Sequence, residues 1–345
     1  MLKYFYGSFV VLVIGLLAGL LIGGWAAVYL VGILAILEIS LSFDNAVVNA
    51  TVLEGMEPKW QKRFIIFGMP VAVFGMRLIF PIALVAMTTT MSFIDVSKIA
   101  VNNPEAYREA LLHGFPMIAA FGGSFLLMVF MDFFFDNDRE VRWIKVIENN
   151  KAVTTMSDIN NIELVIASII GVVLTYSTQS YQVAMAFSMG VILHSLLNIM
   201  DEFFSPDENG VSSISNVARS GIIGLIYLEV LDASFSFDGV IGSFAISMNI
   251  FIIMLGLGIG AMFVRSLTIY LVDKKTLKEF VYLEHGAHYA IGFLAFIMFF
   301  KIFIEIPEWI TGTVGIVFIV AAFVHSYFFN KKNLSELESE SESAS

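Results

Sequence analysis

The chain has 345 residues, 58% of them hydrophobic and 14% charged, with a mean hydropathy of +0.84. Soluble domains carry an apolar share of about 45–50%, so a soluble globular fold is excluded and an all-α polytopic membrane protein is indicated. Four of the 30 acidic residues, Glu336, Glu338, Glu340 and Glu342, lie in 335–345, which has no apolar periodicity, and 331–345 reads as an acidic disordered tail. Basic residues are few and scattered, which speaks against nucleic acid as a partner, and the absence of Cys removes disulfides and thiolate chemistry.

Apolar runs long enough to cross about 30 Å of hydrocarbon fall near 5–23, 28–53, 64–87, 114–135, 162–178, 183–200, 220–246, 250–272, 287–304 and 309–329. They predict about ten transmembrane helices. The first, with Lys3 before it, also fits a signal peptide, although no small-residue cleavage site precedes Trp25. The outer connection 88–112 is expected to hold a short helix starting at Pro104. The cytoplasmic connections 136–161 and 201–217 carry charge but no chemistry that the sequence reveals.

Loop charge supports this count. With both termini in the cytoplasm, fourteen of the 19 basic residues fall inside: Lys3, Lys59, Lys62, Arg63, Arg139, Arg142, Lys145, Lys151, Arg219, Lys274, Lys275, Lys278, Lys331 and Lys332. Lys98, Arg108 and Lys301 fall outside, and Arg77 and Arg265 lie within membrane runs. This positive-inside bias fits a multi-pass protein of the cell's inner (cytoplasmic) membrane.

Within the second and seventh runs the chain repeats itself. Glu38-Ile39-Ser40-Leu41-Ser42-Phe43-Asp44-Asn45 is matched by Asp232-Ala233-Ser234-Phe235-Ser236-Phe237-Asp238-Gly239. Gly68 precedes Arg77 by the same nine residues that separate Gly256 from Arg265. His113-Gly114 answers His285-Gly286, and Glu163 answers Glu308. Each match is offset by five helices, an odd number, so the halves run in opposite orientation. A 5+5 inverted repeat follows, 1–180 against 181–330, with the two acidic motifs meeting near the midplane.

Ionised side chains at bilayer depth cost about 2.5–3.5 kcal/mol each on insertion scales, which makes these acids functional candidates. On a helix Glu38, Ser42, Asn45 and Asn49 share one stripe, with Ser40 and Asp44 on another. In the second copy Asp232 and Ser236 share a stripe beside Glu229. Either each helix faces two neighbours or it is interrupted near Phe43-Asp44 and Phe237-Asp238; the residues leave both open. Glu38, Asp44, Asp232 and Asp238 carry more charge than Arg77 and Arg265 offset. Oxygen ligands of this kind, with Asn45 and the auxiliary Ser42, Asn49, Glu229 and Ser236, suit Mn²⁺, Ca²⁺ or Mg²⁺. Protons would compete for the same carboxylates.

These motifs and the arginine after each resemble the TerC (tellurium resistance) integral membrane family of the lysine-exporter-like superfamily, in its longer branch, over about residues 30–325. The resemblance implies metal homeostasis and places manganese efflux first. By position, Glu38, Asp44 and Asn45 match the first motif and Asp232 and Asp238 the second; Gly239 departs from it where Asn45 stands in the first copy. The expected function is a non-enzymatic secondary transporter exporting a divalent cation as its substrate, Mn²⁺ foremost. A non-transporting scaffold in metal or tellurite stress is the alternative, with an intramembrane aspartyl protease behind it. The plainer reading of Arg77 and Arg265 is charge compensation for assembly, and that of the serines is bonding to helix carbonyls. His113 and His285, with His288 one turn on, are candidates for a cation-access role.

Overall fold

A computed structural model describes residues 2–89, 91–137, 139, 141–204, 221–244, 246–274 and 280–343. The loop 201–217 lies largely outside the described residues, as do Arg219, Lys275 and Lys278, and the side chains of Asp238, Glu308 and residues 332–343. The regular structure described is helical throughout: α1 Leu2–Leu41, α2 Phe43–Glu54, α3 Pro58–Pro70, a π-helical segment Val71–Ile79, α4 Phe80–Thr88, α5 Phe93–Asn102 and α6 Pro104–Phe134. Short α7 Lys145–Glu148 and α8 Lys151–Ser157 precede α9 Ile162–Thr178, α10 Tyr181–Phe204, α11 Gly221–Ser243, α12 Ile250–Asp273, α13 Leu283–Lys301 and α14 Glu308–Ser343.

Six stretches among the described residues are long and apolar enough to cross a membrane: Lys3–Leu41, Pro104–Phe134, Tyr181–Met200, Ile250–Asp273, Leu283–Lys301 and Thr313–Lys331. A seventh arises if Lys151–Ser157 and Ile162–Thr178, bent by 105°, form one span. The difference from ten has physical causes. A straight helix of 40 residues would be about 60 Å long, twice the hydrocarbon thickness, but α1 reverses at Gly23 and Gly24, where φ of Gly24 is 65°. The two limbs then pack on each other, Gly19 against Ala27 and Val31. α11 has the length of a span but carries Glu229, Asp232 and Asp238.

Both limbs of α1 lie along α12. In the first limb, Ser8 Oγ donates to Met262 O at 2.8 Å and meets Ser266 Oγ at 2.7 Å, while Tyr4 bonds Asp273. In the second, Leu34 fits over Gly256 and Glu38 over Gly260. Glycine at both positions of α12 lets the backbones approach, as small residues do in membrane helix pairs. Near the middle of the molecule α6 plays the corresponding part, with Gly122, Gly123 and Gly190 at its crossings. Large apolar side chains such as Leu21, Val172 and Tyr176 stay exposed, the pattern of a surface solvated by lipid.

Three local expectations change. The short helix of the connection 88–112 is α5, which ends before Pro104; that proline starts the long α6 instead, with Asn103 accepting from Ala106 N as its cap. The run 64–87 divides because Pro70 supplies no N–H and Pro81 follows, with a π-helical turn between them. The backbone beyond residue 331 continues α14 through Ser343, where the sequence suggested a disordered tail.

Candidate functional site

The first motif does contain a break. α1 ends at Leu41, Ser42 has φ −105° and ψ 17°, and α2 begins at Phe43. Ser42 still bridges the junction, its N–H donating to Glu38 O at 2.9 Å and its Oγ to Glu38 Oε1 at 3.0 Å. The second motif has none, since α11 runs unbroken through it. The two copies therefore differ in backbone as well as in sequence.

Glu38, 1% exposed, is held from three sides. Arg77 Nη2 donates to Glu38 Oε1 from the π-helical segment, and Arg77 Nη1 lies 3.6 Å from Asp232 Oδ2. The leading acids of the two motifs thus meet at one guanidinium, buried to 3% exposure. Gly260 and Gly239 close the other sides. An Arg fork can serve two carboxylates at once, which a point charge cannot. Arg77 thus places one positive charge between two buried carboxylates.

Arg265 is held differently. Its Nη1 donates to Phe64 O at 2.9 Å and its guanidinium lies 4.1 Å over the Phe64 ring. Gly68 leaves room for it and for Glu229, whose Oε1 would stand 2.8 Å from a β-carbon there. Glu229 Oε2 is buried without a hydrogen bond.

Asp44 is placed apart from both arginines. It begins α2, is buried, and accepts one hydrogen bond, from Asn45 N at 3.1 Å. Among the described residues it has no cationic partner. On the adjoining face of α2, Asn45 Oδ1 and Asn49 Oδ1 are buried without a hydrogen-bond partner, as is Ser236 Oγ on α11. By contrast Ser40 and Ser234 donate to the carbonyls of Ile36 and Val230, both at 2.9 Å, so these two serines are engaged in their own helices. Asp238 is one of the residues whose side chain is not described. Among the described residues no group of three or more His, Cys, Asp or Glu is placed to hold a metal.

The candidate histidines differ in their settings. His113 is exposed on α6. His285 is buried, its Nε2 hydrogen-bonded to Val141 O at 3.0 Å, and His288 stacks on Phe133 at 3.9 Å. What lies against His285 is the loop after α6, organised by Glu148. That carboxylate is 0% exposed and accepts from Trp143 N at 3.3 Å, Ile144 N at 3.0 Å and Tyr289 Oη at 3.0 Å. Arg139 Nη2 lies 3.6 Å away. Burial lowers the pKa of Arg139, and the charge of Glu148 opposes that shift. Trp143 Nε1 donates to His325 Nδ1 at 2.8 Å, tying the loop to α14. Sequence reasoning assigned this loop no role, because a buried Glu in a polar connection looks like any solvated one.

Helices of this length around a buried carboxylate–arginine network define an all-α, multi-pass membrane protein. The chain belongs to the family described as "Protein of unknown function (DUF475)", which it matches over residues 43–333. The matched region includes Asp44, Arg77, Asp232, Asp238 and Arg265 and begins after Glu38. No curated protein and no solved structure matches the chain.

Proposed function

We propose that the protein is a secondary transporter that exports a hard divalent cation, with Mn²⁺ as the first candidate and Ca²⁺ and Mg²⁺ behind it, and that protons compete with the metal for its carboxylates. The observation that carries this reading is Asp44, a buried carboxylate with no cationic partner among the described residues. On the adjoining face of α2 are the amide oxygens of Asn45 and Asn49, also without partners. An uncompensated charge in a low-dielectric interior is costly, and oxygen donors of this kind suit hard cations.

In this reading Glu38 and Asp232 have a second task. Arg77 occupies them in the conformation described, so a cation could reach them only in a state where Arg77 withdraws. A bound cation and a tethered guanidinium would then exchange on the same carboxylates, with Asp44 as the first ligand met. Asp238, Ser236 and Glu229 would complete the polar centre from the second half. The arrangement proposed is ten membrane helices as a 5+5 inverted repeat with both termini in the cytoplasm of the inner membrane. The resemblance to the TerC family supports manganese efflux.

Metal uptake into proteoliposomes containing the wild type or Asp44→Asn, with Mn²⁺, Ca²⁺, Mg²⁺ and Zn²⁺ at two proton gradients, tests the proposal. A scaffold predicts no uptake and no metal binding. An intramembrane protease predicts peptide cleavage that needs Asp44 without metal flux.

A further inference from the structure

α14 comes against Asp44 at Gly315. A β-carbon at 315 would stand 2.5 Å from Asp44 Oδ2 and 3.0 Å from Cγ, so the Asp44 carboxylate packs directly on bare helix backbone. One turn earlier, on the same side of the helix, the Thr311 hydroxyl is buried and has no hydrogen-bond partner. Helical Ser and Thr hydroxyls ordinarily donate to the carbonyl four residues back. Ser168, Thr175, Thr178, Thr268 and Ser326 all do so here. Thr311 does not, and it joins Asn45 Oδ1 and Asn49 Oδ1 as a buried oxygen with nothing to bond. Buried polar atoms of this kind need a partner that the protein alone does not supply.

We propose that α14 supplies part of the cation site, with Thr311 Oγ1 as a ligand and Gly315 as the residue whose missing side chain lets the Asp44 carboxylate lie against the helix. The inference rests on the reading of Asp44 as a cation ligand. A carboxylate joined by neutral hydroxyl and amide oxygens is a donor set for a hard cation. The two residues have distinct parts: loss of the Thr311 hydroxyl removes a donor, whereas a methyl at 315 presses on the carboxylate itself.

Titration of the purified full chain with Mn²⁺, followed by the loss of the free-ion EPR signal, tests this alongside the thermal midpoint of the metal-free protein. Thr311→Val is expected to weaken Mn²⁺ binding by about tenfold or more while leaving the metal-free midpoint unchanged or higher, because a hydroxyl without a partner contributes nothing to the empty fold. Thr311→Ser should retain most of the affinity, and Gly315→Ala should weaken it. Wild-type affinity in Thr311→Val, or a lowered metal-free midpoint in that variant, would overturn the role of Thr311 while leaving Asp44 in place. Absence of Mn²⁺ binding by the wild type would instead remove the reading of Asp44, and this inference with it.

Discussion

Gly239 lies against Glu38, close enough that a β-carbon at 239 would stand 3.0 Å from Glu38 Oε2. This accounts for the glycine that stands in the second motif where the first has Asn45. Where the first copy has Asn45 the second must have a residue without a side chain, because Glu38 already fills the space. The acid corresponding to Glu38 in the other motif is Asp232, shorter by one methylene. We therefore expect Gly239→Asn to push Glu38 off Arg77 and to cost about 3–5 kcal/mol, the usual penalty for breaking a buried ion pair. Glu38→Asp in the same chain should recover part of it. Thermal unfolding in detergent reads both, and a neutral Gly239→Asn would show that the contact is slack.

Arg77 should prove structural before it proves anything else. Arg77→Gln leaves Glu38 and Asp232 buried without their shared counter-charge and is expected to cost about 3–5 kcal/mol. Arg77→Lys keeps the charge but loses the fork that reaches both acids, and about 1–3 kcal/mol is the expected loss. Equal stability of Arg77→Lys and wild type would mean that only the charge matters at this position.

Much of this was legible in the sequence, and the parts that were not have identifiable causes. The repeated Ser-x-Ser-Phe-Asp and the matched Gly-to-Arg spacings located Glu38, Asp232, Arg77 and Arg265, and the structure brings the first three together. Periodicity could not decide whether the motif helix is interrupted. It is at Ser42 and is not in α11, and no proline marks the difference. The pairing of Glu38 with Gly239 was invisible because it joins residues far apart in the chain. Thr311 and Glu148 carried no signal, since their character lies in what surrounds them. Pro104 reads as the start of a minor helix because apolar content rises only ten residues later, at Gly114.

Glu148 should govern the loop that covers His285. Its carboxylate accepts two backbone N–H groups and the Tyr289 hydroxyl, and hydrogen bonds to a charged group are worth about 1.5–3 kcal/mol. Glu148→Ala is expected to loosen the loop locally, with faster proteolysis between 136 and 150 and a change in Trp143 fluorescence as its bond to His325 is lost. Global unfolding should move less. An unchanged cleavage rate would show that the loop is held by other contacts.

Asp44 should behave in the opposite way to Arg77. Removing a buried charge that has no counter-charge relieves a desolvation cost, so Asp44→Asn is expected to leave metal-free stability unchanged or to raise it. A drop of about 2 kcal/mol or more, of the size seen when hydrogen-bonded charges are lost, would mean that Asp44 serves the fold.

Mn²⁺ flux through the purified chain, compared with flux through Asp44→Asn in the same proteoliposomes, bears most directly on what this molecule does. Saturable uptake by the wild type, abolished in the variant while its thermal midpoint holds, is the expected result. Flux that survives the substitution, or none in either protein for any hard divalent cation, would contradict the assignment of Asp44 as the residue that takes the ion.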